Sequence, residues 1–297
     1  MSMSPDFIVI GAMKCATSSL HDQLAAQAGI FMSDPKEPNF FSDDDQWEKG
    51  WSWYEGLFEG GKTAALRGES STHYTKLPTY PDTVDRIHQC LPEARFVYLM
   101  RDPVDRLVSQ FIHEWSERTI VGPIDEAVDR YPRLIDYSLY ATQLHPYLDT
   151  FGTARVLPVF FESLRNQPMA ELDRIVEFLG FEGKVSWQPD PDAANVSLER
   201  MRKNSLRDFL VDQPILARLR RRLVPKSIRE RVKGLWRTSE RPVLSEAVRK
   251  RVEAEIDRDL ENLSRWIGMD LRCTNFAESA ASATPSWTEA APGAGLE

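Results

Sequence analysis

Three short stretches of this chain are apolar almost without a break: FIVI at Phe7–Ile10, FVYLM at Phe96–Met100 and VLPVFF at Val156–Phe161. A strand with one wet face alternates apolar and polar residues. An unbroken run of this length suits a strand covered on both faces, as in a parallel sheet clothed by helices. A weaker fourth strand is predicted around Leu66 and Gly68. Helical patterns fill the intervals, at Ser18–Ala28, Asp82–Leu91, Pro103–Glu117, Tyr137–Phe151 and Met169–Leu179. In the third of these, proline stands early, where a missing N–H is no loss. The alternation predicts an α/β fold, a parallel sheet flanked by helices and joined by right-handed crossovers. The last third is predicted helical. Ser245 is placed to cap a long helix that Gly268 ends, and Val248, Val252, Ile256, Leu260, Leu263 and Ile267 give it one apolar face. The predicted organisation is one domain over 1–276, with a helical, basic segment 205–268 inside it. The small, polar residues of 277–297 read as a disordered tail.

Composition narrows the function. At 42% hydrophobic and 28% charged the 297-residue chain is ordinary globular protein. It carries no apolar run near the ~18 residues of a membrane span. Its N-terminal stretch has no basic n-region of a signal peptide. Three cysteines, Cys15, Cys90 and Cys273, show no metal-ligand spacing. The reading is a reduced, cytoplasmic protein that needs no metal. A net charge of −8 argues against nucleic acid as the partner. Between Arg218 and Arg241, however, ten Lys/Arg face two Asp/Glu. That segment is either a solvated helical face or a contact for an anionic substrate or the inner face of a membrane.

Two turns carry chemistry. In FIVIGAMKCATSSL a strand runs through Gly11 and Lys14 to Thr17, Ser18 and Ser19 at a helix start. Such a turn aims backbone N–H groups and a helix dipole at one spot and suits an anion. Lys14 adds a mobile charge. The G-x-x-x-x-G-K-[ST] pattern of a nucleoside triphosphate loop is not met. In MRDPVDRLVSQF, Arg101 ends a strand and Ser109 lies two turns into the next helix. An arginine fork with a nearby hydroxyl suits a phosphate monoester. The plainer reading pairs Arg101 with Asp102 or Asp105. Ligands of open parallel sheets bind beyond the carboxyl ends of the strands, so Lys14 and Arg101 are expected at one crevice.

Together these motifs resemble those of the sulfotransferases that use 3′-phosphoadenosine 5′-phosphosulfate (PAPS). KCATSSL looks like their 5′-phosphosulfate loop and RDPVDRLVSQF like their 3′-phosphate motif. PKEPNFFSDD, GESSTHY, YSLYATQL, FFESLRNQP and LENLSRWIGMDL resemble further stretches of the heparan-sulfate-type enzymes and their bacterial relatives, in the same order over residues 6 to 272. The resemblance implies a P-loop-like α/β fold, with PAPS as co-substrate and 3′-phosphoadenosine 5′-phosphate (PAP) as product. Carried over by position, Lys14, Ala16, Thr17, Ser18 and Ser19 would hold the 5′-phosphosulfate. Arg101 and Ser109, with Arg202 and Lys203, would hold the 3′-phosphate. Glu37 would be the general base, with His73 and His113 as rivals of the histidine type. Lys36, Ser70, His73 and Asn195 are the residues implied beside the acceptor, a small molecule or a carbohydrate or glycolipid. Where the heparan-sulfate type has a lysine, this chain has Ser70. The rival functions are a nucleotide kinase-like phosphotransferase and a non-catalytic protein binding nucleotides or polyanions.

Overall fold

A computed structural model describes residues 3–188 and 241–296. The chain divides into two compact units. The larger comprises Met1–Leu107, Ile135–Pro189 and Lys250–Glu297. It contains a five-stranded sheet of order β2-β3-β1-β4-β5, with every pairing parallel. The strands are β1 (Phe7–Gly11), β2 (Ile30–Met32), β3 (Leu66–Ser70), β4 (Arg95–Met100) and β5 (Val156–Phe160). Two of the three interior strands explain the unbroken apolar runs: all five residues of β1 are buried, as are Phe96–Met100 of β4. Gly11 closes β1 at φ +153°, and a Cβ there would stand 2.1 Å from Thr75 Oγ1. Only glycine permits that approach.

The helices are α1 (Thr17–Ala25), α2 (Asp44–Trp47), α3 (Trp51–Gly56), α4 (Thr83–Cys90), α5 (Pro103–Ser116), α6 (Ile124–Arg130), α7 (Arg133–Asp136) and α8 (Tyr140–Phe151). They continue with α9 (Phe161–Asn166), α10 (Pro168–Leu179), α11 (Glu246–Ile267) and α12 (Phe276–Ala280). Along α11 the predicted stripe is realised, since Val252, Ile256, Leu260, Leu263 and Ile267 are all buried. The smaller unit is Val108–Leu134 with Asp190–Arg249. Within it Arg133 pairs with Glu114 at 2.6 Å, and Ile120, Ile124, Ala127 and Val128 are buried.

The expectation of a disordered tail is corrected. Residues Phe276–Ala280 form α12, and the chain beyond lies against β5, α9 and α10. Trp287 Nε1–H donates to the Val156 carbonyl at 2.6 Å and Ser163 Oγ to the Ala283 carbonyl at 2.9 Å. Arg174 Nη2 reaches the Pro158 carbonyl at 2.9 Å. β5 is an outer strand, so its outward carbonyls need partners; the tryptophan supplies one and α10 the other. Composition misled because a few backbone anchors and one indole hold an otherwise small-residue segment.

Candidate active site

The connection from β1 leaves toward β2 and β3, whereas that from β4 leaves toward β5. Adjacent strands whose connections depart in opposite directions open a crevice beyond their carboxyl ends. At the end of β1 the chain turns through residues 12–16, with Lys14 at φ 72° and Ala16 at φ 66°. Left-handed residues set among right-handed ones turn neighbouring N–H groups to one side, as anion-binding nests do. The first turn of α1, Thr17–Ser19, has no side-chain cap and no acidic residue. Its N–H groups and dipole are therefore available to an anion. Thr17 is buried, Ser18 exposed, and Lys14, Ala16 and Ser19 half-buried. Cys15 packs behind the turn, where burial pushes its thiol up to about 11 against the opposing pull of Arg106. A thiol so placed is wall, not nucleophile.

Arg101 follows β4. Tyr140, at the start of α8, brackets its backbone: the hydroxyl donates to the Arg101 carbonyl at 2.6 Å and accepts its N–H at 3.2 Å. The guanidinium lies over the Phe161 ring at 4.8 Å, and its Nη2 meets Asp105 at 3.1 Å. The plainer reading is thus also real, with Asp105 as the partner. Such a half-exposed i,i+4 pair is worth only a few tenths of a kcal/mol. It orients the guanidinium without locking it. Ser109 is buried two turns into α5.

A second cluster forms past the ends of β2 and β3. Glu37 sits at φ 57°, its N–H bonded to the Ser70 carbonyl at 3.0 Å. Its carboxylate takes Lys36 Nζ at 2.8 Å and the Thr72 hydroxyl at 3.4 Å. Burial pushes this carboxyl up. Lys36, then Lys76 and His73, outweigh that push and hold it below the ordinary value of 4.5. Glu37 is therefore ionised at neutral pH. His73 is committed elsewhere: Nδ1 meets Asp43 at 2.9 Å, and the ring stacks on Tyr80 at 4.7 Å. Burial, helped by Lys76, lowers its pKa against the pull of Asp43. Ser70 is fully buried and paired with His21 Nδ1 at 3.0 Å. Burial and Lys36 lower the His21 pKa too.

The structure thus brings Lys36, Glu37, Ser70 and His73 together. It places Lys14 and Arg101 beyond neighbouring strands. His113 lies on α5, in the part of it that belongs to the smaller unit. Asn195, Arg202 and Lys203 lie outside the described residues, as does nearly all of the basic segment. Sequence reasoning missed Thr72, Lys76 and His21. The first and second stood in view in STHYTK; His21 had no signal, because its partner is 49 residues away. Among the described residues, five non-glycine residues have positive φ, and four of them, Lys14, Ala16, Glu37 and Asn39, are in these two loops. Strained backbone gathers where function holds it.

Comparison with known proteins defines the class. The model of the sulfotransferase family matches residues 37–185, half of the sequence, and the chain belongs to that family. The match takes in Glu37, Ser70, His73, Arg101 and Ser109. Mouse heparan sulfate glucosamine 3-O-sulfotransferase 3B1 is 30% identical over 188 residues, 59% of this chain and 46% of that protein. Human heparan sulfate glucosamine 3-O-sulfotransferase 6 is 26% identical over 194 residues, 61% of this chain and 54% of that protein. The chain spans about half the length of the curated relatives it matches. A crystal structure of a sulfotransferase from Alicyclobacillus acidocaldarius superposes with a TM-score of 0.63 at 23% identity, covering 90% of this chain and 97% of that one. The two share a fold, the P-loop-like α/β fold of the PAPS sulfotransferases. Among the described residues no cluster of His, Cys, Asp and Glu is arranged to hold a metal, and no helix is long and apolar enough to cross a membrane.

Proposed function

We propose that this chain moves the sulfuryl group of PAPS to a hydroxyl or amine of an acceptor. The observation that carries the reading is one of topology. An uncapped helix start with Lys14, and Arg101 on the adjacent strand, lie beyond the carboxyl ends of β1 and β4, with an ionised Glu37 on the neighbouring loop. The donor has anionic groups at both ends, and these residues fit it: N–H groups, hydroxyls and a lysine for the 5′ end, a guanidinium fork for the 3′-phosphate.

When bound, PAPS supplies an activated sulfuryl group on a phosphate leaving group. Lys14 and the first N–H groups of α1 neutralise charge at the leaving oxygen, a contribution of ~3–4 kcal/mol per well-placed donor. Arg101 holds the 3′-phosphate. Glu37 takes the proton of the attacking acceptor group; its lowered pKa keeps it in the accepting form. Lys36 and Thr72 fix the direction of its carboxylate.

The acceptor class we favour is carbohydrate, the class named for the curated relatives. Asp43, Asp44, Asp45 and Asp82 line a cleft with Tyr80, which stacks on His73. Arg86 pairs with Asp44 at 2.6 Å and with Asp82 at 3.7 Å, so the cleft carries both signs of charge and suits the hydroxyls of a sugar or glycolipid. The test is thermal stabilisation by PAP, ADP and ATP with Mg²⁺, on wild type and Arg101→Ala. A ligand at ~100 times its Kd stabilises by ~2.7 kcal/mol. Selective stabilisation by PAP, lost in Arg101→Ala, is the expected result. Equal or greater stabilisation by ATP with Mg²⁺ refutes the donor assignment.

A further inference from the structure

Glu69 is wholly buried at the end of β3 and plays no part in the chemistry above. Three hydroxyls converge on it. Tyr54 donates to Oε1 at 2.6 Å, Tyr74 to Oε1 at 2.9 Å and Ser71 to Oε2 at 2.7 Å. Two of these hydroxyls also accept. Ser71 Oγ takes the Asn39 N–H at 3.2 Å, and the Tyr74 hydroxyl takes the Phe41 N–H at 3.4 Å. Asn39 and Phe41 are the second and fourth residues after Glu37. The same tyrosines also pack on this loop: Phe40 stacks on Tyr54 at 4.6 Å, and Phe41 meets Tyr54 edge-on at 5.1 Å and Tyr74 at 5.7 Å.

The direction of the bonds matters. An ionised carboxylate only accepts, so each hydroxyl must spend its one proton on Glu69. That leaves the oxygen lone pairs of Ser71 and Tyr74 facing the loop, as acceptors for its N–H groups. A protonated or amide side chain at 69 would itself offer a donor, and at least one hydroxyl would have to turn. The loop it holds is strained, with Glu37 and Asn39 both left-handed, and strain of this kind persists only when the surroundings over-determine it.

We propose that Glu69 is a positioning residue for the general base: through Ser71 and Tyr74 it fixes the polarity of the hydrogen bonds that hold the Glu37 loop. Its part in turnover rests on the proposed sulfuryl transfer; its hold on the loop does not. Burial pushes the Glu69 pKa up to about 7 against its three hydroxyl donors. The carboxylate form that sets this polarity therefore dominates above neutral pH, where exchange is to be measured.

The test is amide hydrogen exchange read by NMR, on the full chain, for wild type, Glu69→Gln, Ser71→Ala and Tyr74→Phe. Loss of one buried hydrogen bond should speed exchange at the freed amide by roughly tenfold. Glu69→Gln should speed both Asn39 and Phe41, Ser71→Ala chiefly Asn39, and Tyr74→Phe chiefly Phe41, while the Val97 amide in β4 stays as in wild type. Stabilisation by PAP should be unchanged in all three, because its residues hang from β1 and β4. In the same variants kcat toward a panel of neutral alkyl glycosides should fall with KM for PAPS unchanged. If Asn39 and Phe41 exchange within about twofold of wild type in Ser71→Ala and Glu69→Gln, the positioning role is wrong. If Val97 speeds up equally, Glu69 acts only on global stability and the proposal likewise fails. Altered exchange without sulfation of any acceptor keeps the loop clamp and counts against the sulfuryl-transfer reading alone.

Discussion

Asp259 offers a sharp test of how the Arg101 turn is supported. It lies on α11, is 7% exposed, and accepts three hydrogen bonds at the start of α8. The Ala141 N–H reaches Oδ2 at 2.8 Å, and the Thr142 N–H and hydroxyl reach Oδ1 at 2.9 and 2.7 Å. Helix α8 has Leu139 at its N-cap position and no cap of its own, so Asp259 caps it from another helix. In Asp259→Ala two first-turn N–H groups lose their acceptor. A lost cap costs about 1–2 kcal/mol, and each buried N–H left unpaired about 1–3 kcal/mol. Against this, removal of the carboxylate relieves its desolvation, which is the largest influence on its raised pKa. The net expectation is a loss of ~2–4 kcal/mol. For a chain of this size that lowers Tm by roughly 3–7 °C. Asp259→Asn keeps one acceptor oxygen and should lose about half as much. Because Tyr140 opens α8 and brackets the Arg101 backbone, PAP should also bind more weakly to the alanine variant. The assay is scanning calorimetry with and without PAP. A loss under about 1 kcal/mol in Asp259→Ala would refute the cross-helix cap.

Three further outcomes are expected. Glu37→Ala should lower turnover on the order of 10²–10⁴-fold while PAP stabilises it as it does wild type; near-normal turnover would remove Glu37 from the base role. The Glu37 pKa is depressed, so its stabilising pair with Lys36 is present above the ordinary value of 4.5 and is lost as pH falls through the lower folded value. The Tm advantage of wild type over Glu37→Gln should accordingly hold near neutral pH and close below 4.5; a difference that does not change with pH would contradict this. Trp287→Ala should expose the Val156 carbonyl and lower Tm by a few degrees, with more self-association on light scattering; a monodisperse variant of unchanged Tm would show that β5 needs no such cover.

The sheet was legible where burial and apolarity coincide. β1, β4 and β5 each read as unbroken runs, because flanking helices or the tail cover them. β2 went unseen because it is three residues long and sits at an edge. β3 read weakly because its buried end is polar: Glu69 and Ser70 are satisfied by Tyr54, Tyr74 and His21, of which only Tyr74 is close in sequence. The same logic holds at the site. Lys14 and Arg101 stand beside strand ends that the apolar runs reveal, whereas Glu37 follows the unseen β2 and is reached only through the family resemblance. Lys76 and His73, which join Lys36 in holding the Glu37 pKa down against burial, reach it only when the ends of β2 and β3 are brought side by side.

The arrangement of the strands also bears on how such a protein changes over time. The turns that carry Lys14 and Arg101 hang from β1 and β4, which have neighbours on both sides, so an insertion there disturbs the middle of the core. The loop that carries Glu37 and leads to the aspartate-lined cleft follows β2, an outer strand of three residues, and is held mainly by the hydroxyls and rings around Glu69. A lineage can lengthen, shorten or recharge what lies past that clamp with the central ladder left intact. On the proposed reading, this architecture conserves the donor and leaves the acceptor free to diverge.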